Sequence, residues 1–65
     1  MRAVVMVDVL NVRSGPGLEY AINRQTVAGD IVEVVGFEGS VLWVQLTTGE
    51  YCAFRWNGTD YLRPC

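Results

Sequence analysis

The spacing of its apolar runs constrains this chain more than any other feature. Valine, isoleucine, leucine and aromatic residues fall in short stretches separated by Gly, Asn, Asp and Thr at intervals of about ten residues, as in an all-β domain. Strands are read at residues 4–9, 31–35, 42–47, 50–54 and 61–62. No capped i, i+3, i+4, i+7 pattern lasts three turns, so no helix is expected.

Strand side chains alternate between faces, so the pattern also assigns sides. In "DIVEVVG", Val32 and Val34 are expected in the core, with Ile31, Glu33 and Val35 on the other face. In "LWVQLT", Val44 and Leu46 are expected inward, and Trp43, Gln45 and Thr47 outward or at the rim. Phe37 and Phe54 have no polar handle and are assigned to core or rim. Turns are expected at Thr48-Gly49 and Asn57-Gly58. Residues 13–29 hold only the isolated apolar anchors Leu18, Tyr20, Ile22 and Val27, and are read as one long excursion loop.

Sixty-five residues, 51% of them hydrophobic, allow one small domain with a modest core and no second lobe to close over a substrate. Five short strands in such a chain fit a bent barrel, because closure hides edges that would otherwise template aggregation.

The charged residues exclude several function classes. Five arginines, no lysine and seven carboxylates give a net charge of −2, which is a poor electrostatic footprint for nucleic acid. There is no histidine, and Cys52 and Cys65 are read as free thiols, too few for a disulfide scaffold. Two soft ligands do not make a tetrahedral metal site, so no metal or other cofactor is expected. Ser14, Ser40 and the cysteines have no base to activate them, and no specific pair stands out among Asp8, Glu33, Glu38, Glu50 and Asp60. No enzyme is expected. The run opening at Met1 ends at Asp8 without a cleavage pattern, and no apolar segment approaches the length of a membrane-spanning helix. The chain is expected in the cytoplasm if it is a whole gene product, and at the cell wall or outside the cell if it is part of an exported one.

"LNVRSGPG" at residues 10–17 has the glycines of a phosphate loop but neither a lysine nor a following helix. Gly15-Pro16-Gly17-Leu18 is read as a type II turn with Gly17 at positive φ.

The order of elements resembles the bacterial SH3-like (SH3b) domain. "LNVRSGPG" followed by Tyr20, "VAGDIVEVVG", Trp43 and the closing Tyr61-Leu62 carry the resemblance over residues 5–62, the first motif being the specific one. It implies a small SH3-like barrel of five to seven strands and a non-enzymatic module that binds peptidoglycan or short peptides. The chain departs from the family where a Gly-Trp-Val run is usual: it has Cys52-Ala53-Phe54, then the extra "RWNGTD", in which Trp56 is the candidate substitute for the missing tryptophan. Under a bacterial resemblance the acceptor pattern Asn57-Gly58-Thr59 is a coincidence.

Tyr20, Trp43, Tyr51 and Trp56 are the expected ligand-binding aromatics, since their rings give contact area at low entropy cost together with a polar handle. Trp56, between Arg55 and Asn57, is expected exposed in a loop. Asn11 and Arg13 are candidates beside Tyr20, and their spacing equally suits hydrogen bonds that hold the long loop. The alternative function is a stand-alone phage or bacterial interaction or assembly protein, its barrel surface repurposed for a protein partner. The start at Met1, the absence of an export signal and of lysine, and the altered last third speak for it. In that reading the strand at Val4-Val5-Met6-Val7 pairs edge to edge with a second copy.

Overall fold

In the computed structural model, which describes residues 1–35 and 42–65, the chain is all β. Among the described residues the strands are β1 (Arg2–Val5), β2 (Val9–Arg13), β3 (Ile22–Val27), β4 (Ile31–Glu33), β5 (Trp43–Gln45), β6 (Tyr51–Ala53), β7 (Arg55–Trp56), β8 (Thr59–Asp60) and β9 (Leu62–Pro64). Phe37, Glu38 and Ser40 lie outside the described residues. The sheets have the orders β4-β1-β9 and β3-β2-β6-β5, with β7-β8 as a separate hairpin, and every pairing is antiparallel. A bridge between Val34 and Leu46 joins the two larger sheets. Two backbone bonds flank it, Thr47 N–H to Glu33 O at 3.0 Å and Val35 N–H to Gln45 O at 2.9 Å. The result is a small barrel of the SH3-like kind.

The core lies between the sheets. Val5, Val12, Val34, Val44, Cys52 and Leu62 are its largest fully buried side chains. Val32, Val34, Val44 and Leu46 point inward as the alternation requires, while Ile31 and Val35 are exposed. Phe54 and Trp43 pack against the core from its edge. Cys52 and Cys65 are free, the first buried and the second exposed. Burial pushes the Cys52 thiol up to about 11, because a low-dielectric surrounding disfavours the thiolate.

Several expectations need correction. The run at residues 4–9 is two strands, because burial changes parity along it: Ala3 and Val5 enter the core, then Leu10 and Val12. A straight strand cannot make that change, so the chain bends at residues 6–8 and passes from one sheet to the other. The expected long loop contains β3. Of that strand only Thr26 is buried, its hydroxyl donating to Leu10 O at 3.2 Å, so no apolar alternation marks it. Edge-to-edge pairing through residues 4–7 also falls away, since β1 is the central strand of its sheet and is bonded on both sides by β4 and β9.

"RWNGTD" is a tight hairpin with Trp56 half-buried in β7. Its central residues Asn57 (φ 49°) and Gly58 (φ 76°) are both at positive φ, the type I′ pattern that matches strand twist. The turn at "SGPG" is real but of another type. Gly17 is not among the glycines at positive φ. Its N–H donates to Gly15 O at 3.0 Å, closing a three-residue turn about Pro16, whose fixed φ suits an inverse γ-turn. Tyr20 N–H then donates to Gly17 O at 3.3 Å. A Cβ on buried Gly15 would collide with the Tyr20 ring, so the glycine is there for close approach.

Candidate functional site

Strand alternation builds the outer face of the β3-β2-β6-β5 sheet. Leu10 and Val12 enter the core, which turns Val9, Asn11 and Arg13 of β2 outward. In register, Arg13 faces Tyr51, and Ala53 faces Trp43 across β6 and β5. Tyr61 and the β7–β8 hairpin come up beside this face, and Trp56 meets Trp43 edge-on with ring centroids 6.3 Å apart and planes at 72°. T-shaped packing is favourable because the positive edge of one ring meets the negative face of the other.

These elements enclose a groove of about 290 Å³, lined by Val7, Val9, Leu10, Asn11, Arg13, Leu18, Trp43, Ala53, Trp56 and Tyr61. Its volume is at the lower end of the usual range for ligand sites. Ala53, opposite Trp43 in the ladder, presents only a methyl to the groove, and Trp56 reaches the same groove from the β7–β8 hairpin.

Asn11 and Arg13 are tied to the scaffold. Arg13 Nη1 donates to Leu18 O at 3.1 Å and to Tyr20 O at 2.9 Å, pinning the loop between β2 and β3. Asn11 Oδ1 accepts from Gln25 Nε2 of β3 at 2.9 Å. Arg13 thus holds the loop, Asn11 instead pairs across the β2–β3 ladder, and both residues line the groove.

Thus the groove gathers Trp43, Trp56, Asn11 and Arg13 and leaves Tyr20 and Tyr51 beside it. Tyr20 stacks over Gly15 in the loop that Arg13 holds. Tyr51 is half-buried across the ladder from Arg13. Sequence reasoning missed Val7, Val9, Leu18 and Tyr61. Val9 is half exposed at 53% and Leu18 at 57%, and only the bend at residues 6–8 brings Val7 to the groove. Among the described residues no group of His, Cys, Asp and Glu could hold a metal ion.

The bacterial SH3 domain model matches residues 8–60 of the chain. A relative from Bacillus subtilis (strain 168), the putative N-acetylmuramoyl-L-alanine amidase YrvJ, is 40% identical over 48 residues, which is 74% of this chain and 9% of the relative. The chain thus spans about a tenth of the length of that protein. No solved structure matches it. A match over most of the chain, in keeping with its all-β fold, places the protein in the bacterial SH3 domain family.

Proposed function

We propose that this domain is a non-enzymatic module that binds peptidoglycan through the groove between β2, β5 and the β7–β8 hairpin. The observation that carries the reading is the groove itself: paired tryptophans on an apolar floor, with two scaffold-anchored polar residues at its side. Membership of a family of binding domains, and similarity to part of a protein named as a putative N-acetylmuramoyl-L-alanine amidase, support the choice of ligand. Trp43 and Trp56 supply contact area, and Asn11 and Arg13 supply orientation. Tyr51 and Tyr20 flank the Arg13 side. The non-enzymatic reading is supported by the burial of Cys52, which pushes its thiol up to about 11 and disfavours the nucleophilic thiolate.

The test is co-sedimentation with insoluble peptidoglycan, beside Trp43→Ala and Trp56→Ala proteins first shown to be folded. The parent pellets with the wall and the folded variants stay in the supernatant. A parent that remains soluble across wall preparations overturns the proposal.

A further inference from the structure

Three of the arginines have an acid partner: Arg2 with Glu33, Arg24 with Glu50 and Arg55 with Asp60. Arg13 has none among the described residues; its bonds go to two backbone carbonyls, both through Nη1. Its Nε and Nη2 donors have no partner there. Among the described residues it is also the only charged side chain that lines the aromatic groove, in a protein whose net charge is −2. Its neighbour Asn11 is used the same way. Its amide oxygen accepts from Gln25, and its NH₂ donors have no partner among the described residues. The polar end of the groove is therefore rich in free donors, one of them a permanent cation held in position by the loop it anchors.

A donor-rich, cationic end calls for an anionic acceptor, and a guanidinium fork matches a carboxylate. Leu18 walls this end through the loop that Arg13 pins, and the groove is small at about 290 Å³. A groove this short suits the end of a chain. We propose that Arg13, assisted by Asn11, captures the terminal carboxylate of a peptidoglycan stem peptide, whose last side chains rest on Trp43 and Trp56. This rests on the wall-binding reading and names the ligand group at the same site.

The experiment is an NMR titration of the parent with N,N′-diacetyl-Lys-D-Ala-D-Ala, charged only at its C-terminus, and with the corresponding C-terminal amide. The acid is expected to bind about tenfold or more tighter than the amide, given the strength of charge-assisted hydrogen bonds. Arg13→Lys keeps the charge but loses the fork, and reduces that ratio severalfold while its spectrum stays folded. A purely loop-holding arginine would weaken acid and amide alike.

If the parent does not distinguish acid from amide, or binds neither, the assignment is overturned; sedimentation with whole peptidoglycan then decides separately whether the wall reading survives. If Arg13→Lys keeps the full preference, Arg13 is not the carboxylate site. A parent that prefers the acid yet fails to sediment upholds the carboxylate site and overturns the wall reading.

Discussion

The domain carries a second groove of equal volume, about 290 Å³, lined by Arg24, Thr26, Asp30, Ile31, Val32, Glu33, Leu46, Thr47 and Thr48. It has more charge than the aromatic groove, and every charge is engaged within the chain. Arg24 Nη2 lies 3.0 Å from Glu50, Glu33 lies 2.9 Å from Arg2, and Asp30 Oδ2 accepts from Val27 N–H at 2.9 Å. In the aromatic groove Arg13 has no acid partner among the described residues, and the tryptophans are only half-buried. On the proposed reading, the number of polar groups does not mark the binding surface; donor capacity and aromatic area that the fold leaves unanswered do.

The comparison can be broken most directly by replacing Trp43. Trp43→Ala is expected to weaken wall binding by roughly tenfold or more, as loss of a central aromatic anchor does, whereas Thr47→Ala in the second groove leaves pelleting unchanged. Equal losses in the co-sedimentation assay would erase the distinction between the grooves.

Next in size is Gly15→Ala. The added methyl must displace the Tyr20 ring, an overpacking cost of about 1–3 kcal/mol that denaturant unfolding will read. Because Arg13 bonds to Tyr20 O, the same variant should also loosen the cationic end of the aromatic groove.

Arg24→Gln, in the second groove, is expected to cost under about 1 kcal/mol, since its ion pair is partly solvated. Its peptidoglycan binding should equal that of the parent. A loss of binding there would shift the site to the second groove.

The smallest effect is a pH dependence. Hydrogen bonds from Asn23 and Thr48, together with Arg24, hold the Glu50 carboxyl below its ordinary value of 4.5. A lowered folded pKa makes the ionised form stabilising: the contribution is complete above the unfolded value and fades as pH falls through the folded one. Thermal unfolding of Glu50→Gln compared with the parent should therefore differ at neutral pH and converge in acid.

Much of the fold was legible from the residue pattern. Val32, Val34, Val44 and Leu46 could be assigned to the core because a strand with one wet face must alternate. Thr48-Gly49 and Asn57-Gly58 could be read as turns because positive φ is cheap for glycine and asparagine, and Gly49 and Gly58 sit at φ +91° and +76°. β3 could not be read, since an edge strand with almost no buried side chain leaves no periodic trace. Of the site, Trp43, Trp56, Asn11 and Arg13 were legible as residue types suited to recognition, and they share the groove. Val7 and Tyr61 were not, because their part depends on a bend and a crossing of the chain far apart in sequence.

By itself, then, the sequence determined an all-β domain with a valine-rich interior, its tight turns, and the family to which "LNVRSGPG" points. These are local properties, set by side-chain alternation and backbone preference within a few residues. Only the tertiary structure decided that β1 is an interior strand, that Trp56 comes to stand against Trp43, and that Arg13 remains the uncompensated cation of one groove while Arg24 is neutralised in the other. The physical reason is the same in each case: hydrogen-bond partners, ring contacts and charge neutralisation are pairwise, and the partners are chosen by closure of the barrel.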